Sequence, residues 1–274
     1  MPEGPTIVIL CEEVAKFRGK VVRQVEGNTK LIDPGRMLSK KVLAFRSWGK
    51  HFLVQFSGFT LKVHFMLFGR YRIDERKENA HPRLSLGFAN GELNLYACSV
   101  KYLEGAPEDH YDWSADVMAP EWDPALARKK LRAMPDTLAC DALLDQSVFS
   151  GVGNIIKNEV LWRIRVSPLS TVGELPARKL AELVRDARDY SFRFLELKKA
   201  YVLRKNYQVH QRGTCPRCGT KLRVAHLGRT HRRAFWCEHC QKQYGGLPEA
   251  PARAYAPRKK KAGKALKKPA RRGE

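Results

Sequence analysis

Near its C-terminal end the chain carries four cysteines in two pairs, Cys215-Pro-Arg-Cys218 and Cys237-Glu-His-Cys240, with 18 residues between them. Two C-x-x-C knuckles at this spacing offer four thiolates from two tight turns, the donor set of a closed tetrahedral zinc site. Such a site holds structure and keeps no open position for chemistry. One structural Zn2+ is therefore the expected cofactor, with Cys215, Cys218, Cys237 and Cys240 as its ligands; His239, between two of them, reads as a surface residue. The stretch between the pairs reads as a β-hairpin. Leu222, Val224 and Leu227 run out, Gly228-Arg229-Thr230 turns, and Ala234-Phe235-Trp236 returns. From Lys221 to Trp236 it carries Lys221, Arg223, Arg229, Arg232 and Arg233 and no acid. A metal-clipped basic hairpin is more often a DNA-reading device than a protein-binding knuckle. Cys11, Cys98 and Cys140 stand alone and read as small hydrophobes.

Charge extends the same theme. The 274 residues contain 51 Lys+Arg against 28 Asp+Glu, a formal +23. A tail from Pro248 to Glu274 accounts for +8 of this, which leaves +15 on the body. The tail is rich in Pro, Ala and Lys, cannot build a core, and is expected to be disordered and to add salt-sensitive DNA affinity. A folded body this basic points to a polyanion, with nucleic acid the commonest and an acidic protein or anionic membrane surface the alternatives. No apolar run approaches the roughly 20 residues of a spanning helix. Ile7-Val8-Ile9-Leu10 lacks a basic region before it and is not expected to be a signal peptide.

Along the chain the pattern changes class once. Pro5 suits a first helical turn, and Ile7, Leu10, Cys11, Val14 and Phe17 recur on one face, predicting a helix over about 5–18. Such a helix would hold still the residues just before it. From about 20 to 105 short β-rich runs alternate with Gly, Asn and Asp, predicting an antiparallel sandwich with strands at 42–45, 51–56, 60–65, 70–73, 83–88 and 92–97. Residues 104–122 are loop-like. Helices are then expected over 124–134, 138–149, 155–164 and 176–199. The fold class is thus α+β, divided into an N-terminal domain 1–118, a helical domain 119–212, a zinc finger 213–247 and the tail 248–274. Between the second and third of these helices lies Ser150-Gly151-Val152-Gly153-Asn154. It reads either as a plain helical hairpin that needs glycine or as a phosphate seat built from helix N–H groups, with Asn154 as a cap.

In this order the parts resemble the formamidopyrimidine-DNA glycosylase / endonuclease VIII family over about residues 1–245. The marks are Met-Pro-Glu-Gly-Pro at the start, Trp48-Gly49-Lys50 before a strand, Leu143-Leu144-Asp145-Gln146 running into Gly151-Val152-Gly153-Asn154, and Arg-x-x-Phe-Trp-Cys-x-x-Cys-Gln at the end. The resemblance implies a monomeric base-excision repair enzyme acting on damaged DNA, in the bacterial cytoplasm with the nucleoid, or in the nucleus of a eukaryote. It implies a helix-two-turn-helix motif in the helical domain. It implies that the Pro2 amine, freed when Met1 is removed, is the nucleophile, with Glu3 as general acid/base and Lys50 near the phosphate and sugar. Asn154 would contact a phosphate. Arg232, five residues before Cys237, is favoured as the finger arginine over its competitor Arg229 in the hairpin turn. Glu159 keeps its family position.

Two marks favour the endonuclease VIII-like branch and oxidised pyrimidines over 8-oxoguanine. Gly4 is one. The other is the segment Cys98 to Leu103, which lacks the guanine branch's Asp-Pro-Arg-Arg-Phe pattern. Met66, Leu67 and Phe68 occupy the segment that fills the gap left by a flipped base; without the resemblance they read equally as a buried strand end. Thr6 departs from a Glu frequent in the family just after Pro5. A purine-type glycosylase and a non-catalytic DNA-binding relative are the alternatives.

Overall fold

The computed structural model describes residues 2–245. Helix α1, Gly4–Glu13, carries Pro5 in its first turn and is continued by a short turn to Phe17. Its Ile7, Leu10, Val14 and Phe17 are buried against a six-stranded antiparallel sheet. The strands are β1 Gln24–Glu26, β2 Ala44–Trp48, β3 His51–Phe56, β4 Phe59–Ile73, β5 Leu84–Phe88 and β6 Gly91–Glu104, in the order β1-β5-β6-β4-β3-β2. Phe52, Val54, Leu61, Val63, Leu84, Leu86, Leu93 and Leu95 alternate along these strands and form the core under the helix. Two expected strands, 60–65 and 70–73, are halves of the single strand β4. The register of β4 against β6 slips between Phe65 and Arg70, so Met66, Leu67 and Phe68 lie in the bulge.

The second half is helical, with α2 Pro124–Arg132, α3 Ala139–Ala142, α4 Asn154–Arg163 and α5 Ala177–Lys199. Val152, Ile156 and Val160 pack against Leu180, Leu183, Val184 and Ala187. The helix expected over 138–149 is only the four residues of α3. Polar side chains capture the backbone that would have continued it. Asp145 accepts from the Ser147 N–H at 2.9 Å. Gln146 donates to the Leu144 and Val152 carbonyls at 2.8 and 3.1 Å and accepts from the Gly151 N–H at 3.1 Å. The C-terminal hairpin is β7 Arg223–Leu227 and β8 Arg232–Trp236, packed on Trp162 and Val209. The basic tail lies outside the described residues. Among the described residues no helix is long and apolar enough to cross a membrane.

The two halves meet backbone to backbone. The Gly4 N–H donates to the Gly151 carbonyl at 2.9 Å. A Cβ on Gly4 would sit 2.9 Å from the Gly151 Cα, a distance at which something must move. We expect Gly4→Leu to push α1 off the glycine turn and cost about 1–3 kcal/mol, read as a lowered thermal midpoint. An unchanged midpoint would mean that the junction is looser than its geometry.

Candidate active site

The site is built around Glu3. Its carboxylate crosses to the other half of the molecule and accepts from the N–H groups of Gly153, Ile155 and Ile156 at 3.2, 2.7 and 3.2 Å. It therefore caps α4 from about 150 residues away, where Asn154 was expected to cap and a phosphate was expected to sit. Asn154 is the first residue of α4, and the helix has no side-chain cap from its own N-cap, Gly153. The N–H groups that would seat a phosphate are occupied by the protein's own carboxyl group. Gly153 is required here because a Cβ would collide with the Glu3 carboxyl. Burial pushes the Glu3 carboxyl above the usual carboxylate range, against the lowering effect of these N–H groups and of Lys50.

Lys50 reaches the same place from the sheet. Trp48 and His51 pair across a two-residue turn, Gly49-Lys50, with Gly49 at φ 53°. The turn is clamped from the segment between the halves. Tyr111 stacks on Trp48 at 4.7 Å, the Asp112 main-chain carbonyl accepts from the Trp48 indole at 3.0 Å, and the Asp116 carboxyl accepts from the Gly49 N–H at 2.9 Å. Burial lowers the Lys50 ammonium; the Glu3 charge raises it and the Arg232 charge lowers it further. Glu3, Lys50 and Arg232 thus lie within one another's field. Asp116, buried and pushed up to about 6 by that burial, is a residue that sequence reasoning missed: nothing in its loop marked it apart from other surface acids.

Pro2 lines a cleft of about 910 Å³ together with Thr6, Leu67, Phe68, Ile155 and Tyr207. Phe68 is 76% exposed, Leu67 56% and Met66 54%. All three are exposed, not a buried strand end; Leu67 and Phe68 line this cleft, whereas Met66 lines a separate pocket with Arg83 and Cys98. Cys98 to Leu103 run in β6 and pair residue by residue with β4.

The finger docks on the helical half through its turn and its returning strand. Asp141 accepts from the Arg229 N–H at 2.8 Å and from the Thr230 hydroxyl at 3.2 Å. Asn154 donates its side-chain amide to the Arg233 carbonyl at 3.0 Å. Glu159 is fully buried and accepts from the N–H groups of Gln208, Val209 and His210 at 2.9, 3.0 and 2.8 Å. The four ligand sulfurs of Cys215, Cys218, Cys237 and Cys240 lie within 4.8 Å of one another. The Cys218–Cys237 and Cys215–Cys240 separations are 3.4 and 3.9 Å. A tetrahedron with zinc–sulfur bonds near 2.3 Å has edges of about 3.8 Å, and a disulfide would bring the sulfurs to about 2.05 Å. The four sulfurs fit a metal ion.

Two outcomes follow from this geometry. Glu3 takes up its proton more readily in the folded chain than in the unfolded one. Above the ordinary carboxylate range, and up to its raised value, the folded protein binds more protons, so stability falls as pH rises through that window. Glu3→Gln, which cannot ionise, should lack this slope; parallel thermal midpoints for the two proteins across that window would contradict it. Removing metal with a chelator should unfold β7–β8 and weaken DNA binding, whereas persistence of both after complete metal removal would rule out structural zinc.

The N-terminal domain model of formamidopyrimidine-DNA glycosylase matches residues 1–98, and the H2TH domain model of the same family matches residues 115–202. The chain is 30% identical over 203 residues to endonuclease 8-like 3 of Mus musculus, covering 71% of this chain and 34% of that protein. It thus spans about a third of the length of the first curated relatives it matches. It is 29% identical over 263 residues to the probable endonuclease 8 2 of Streptomyces coelicolor, covering 88% of this chain and 94% of that one. The crystal structure of the Lactococcus lactis formamidopyrimidine-DNA glycosylase, solved bound to DNA containing an AP site, superposes with a TM-score of 0.77 at 20% identity, over 88% of this chain and all of that one.

Proposed function

Because the chain belongs to the formamidopyrimidine-DNA glycosylase / endonuclease VIII family, we propose that it is a DNA glycosylase and AP lyase that removes oxidised bases, chiefly pyrimidines, and nicks the strand. The observation that carries this reading is the mutual electrostatic field of Glu3, Lys50 and Arg232, with Glu3 next in sequence to Pro2, which lines a cleft together with Leu67 and Phe68. A base to be excised must leave the stack. The apolar trio is exposed where it can fill the gap, and the cleft is large enough for a base.

The chemistry follows from the amine. With Met1 removed, Pro2 carries a secondary α-amine, among the few amines partly neutral near pH 7. Its nitrogen adds to C1′ of the damaged nucleotide as the C1′–N glycosidic bond breaks and the base leaves with the electron pair. The nitrogen gives up its remaining proton, and its lone pair then opens the sugar ring to a C1′ iminium as the ring oxygen takes a proton. Glu3, whose proton affinity burial raises, is the group at hand to supply it. The iminium draws electrons from C2′, a C2′ proton is lost, and the C3′–O bond breaks. Lys50 and Arg232 offer fixed positive charge for the phosphates around the opened sugar. Arg232 suits this better than Arg229, because it is the finger arginine whose charge acts on Lys50. The finger sulfurs would hold Zn2+ as a structural ion.

The lesion class rests on Gly4, whose close contact with Gly151 leaves no room for a leucine. It rests also on the regular strand at Cys98 to Leu103, where the guanine branch needs a loop. Borohydride added to the protein with abasic-site duplex should trap a covalent adduct, and Pro2→Ala should abolish it. A folded, metal-loaded sample that binds DNA but yields no adduct would be a non-catalytic DNA-binding relative. In a cleavage panel, dihydrouracil and thymine glycol should be cut faster than 8-oxoguanine; the reverse order overturns the lesion class.

A further inference from the structure

One carbonyl on the finger is held by more donors than it can use. The Arg233 oxygen lies 3.0 Å from the Asn154 amide, 3.2 Å from the Lys157 ammonium and 3.3 Å from the Asn158 amide. A carbonyl has two lone pairs. The Asn158 amide, with two N–H groups, also lies 2.8 Å from the Asn154 carbonyl and 3.1 Å from His210 Nδ1, so its bond to Arg233 is the weakest of its three. The finger strand is therefore held in practice by Asn154 and Lys157, together with the Phe235 N–H donated to Asn158 Oδ1 at 3.1 Å.

Both partners show signs of strain on this arrangement. Among the described residues Asn154 Oδ1 is buried with no hydrogen-bond partner, a cost that turning the amide would relieve. Lys157 is 1% exposed, and among the described residues its ammonium has this single hydrogen bond. Burial lowers it to about 8, against Cys140, Asp141 and Glu3, which raise it, and with Arg232, which lowers it. An apolar side chain of that length would suit the core better, so the ammonium's contribution is positional.

We propose that Lys157 is the latch of the finger: it keeps β8 on α4 and so releases Asn154 to turn its amide to a DNA phosphate. This rests on the phosphate role given to Asn154 above. Lys157 is a positioning residue, acting through the Arg233 carbonyl on the neighbouring Arg232. The spacing Asn154, Lys157, Asn158 puts all three on one helix face.

The test uses the full, metal-loaded chain as wild type, Asn154→Ala, Lys157→Met and the double variant. Without DNA, amide exchange of 232–236 should stay within about threefold of wild type in each single variant, since the other donor remains. It should rise at least about tenfold in the double. Affinity for an abasic-site duplex should fall about tenfold in Lys157→Met, because Asn154 must stay on the finger. It should fall no further in the double than in the worse single. The thermal midpoint of Lys157→Met should not drop. The latch is overturned if Lys157→Met alone opens β8 or lowers the midpoint, if it binds DNA like wild type, or if the two losses simply add. Wild-type DNA affinity in Asn154→Ala, with β8 open only in the double, would support the latch on the finger and retire the phosphate contact instead.

Discussion

The molecule depends on one buried carboxylate joining two halves that fold on separate cores. Glu3 belongs by sequence to the helix that packs on the β-sheet, yet its three backbone partners are all at the start of α4. An unpaired carboxylate in that position would be prohibitive, and the unpaired N–H groups of a helix start would be costly as well. Each need is met by the other. The Glu3 carboxyl and the glycine turn must therefore stay in register whenever the protein is folded. Pro2, one residue away, is held at the cleft by the same contact.

Much of this was legible in residues. The four cysteines announced a clipped hairpin, and Ile7, Leu10, Val14 and Phe17 gave the face of α1. The strands alternated as strands do. What could not be read were the long-range polar contacts. Asn154 looked like a cap because it precedes an apolar run, and Ser150 to Asn154 looked like a phosphate seat because such turns expose N–H groups. Both readings were local, and the group that caps α4 comes from the other end of the chain. The helix expected over 138–149 failed for a related reason: Asp145 and Gln146 spend their hydrogen bonds on the turn instead of leaving it to a helical ladder. Asp116 and Asp141 carried no signal at all, since an acid that receives backbone N–H groups looks in sequence like any other acid.

The finger repeats the logic of the central joint. Its sulfurs set its shape, but its position comes from side chains of α3 and α4: Asp141 under the turn, Asn154, Lys157 and Asn158 along the strand. The arginine nearest the site is thus placed by the helical half, as Lys50 is placed by Asp116 and Pro2 by Glu3. Each of the three segments is fixed by side-chain acids or amides meeting main chain across a junction: Glu3 on the start of α4, Asp116 on the Gly49 turn and Asn154 on the finger strand.

The junction of Gly4, Gly49 and Gly151 carries this furthest. A Cβ on Gly151 would lie 3.4 Å from the Gly4 Cα and 3.5 Å from the Gly49 Cα, so strand turn, N-terminus and helix turn touch as bare main chain. Contacts between side chains can drift, because one residue can shrink while its neighbour grows. Contacts between main chains have no such currency. The spacing of the main chain at Pro2 and at Lys50 is therefore written in peptide geometry, and the side chains of Glu3 and Asp116 hold it there.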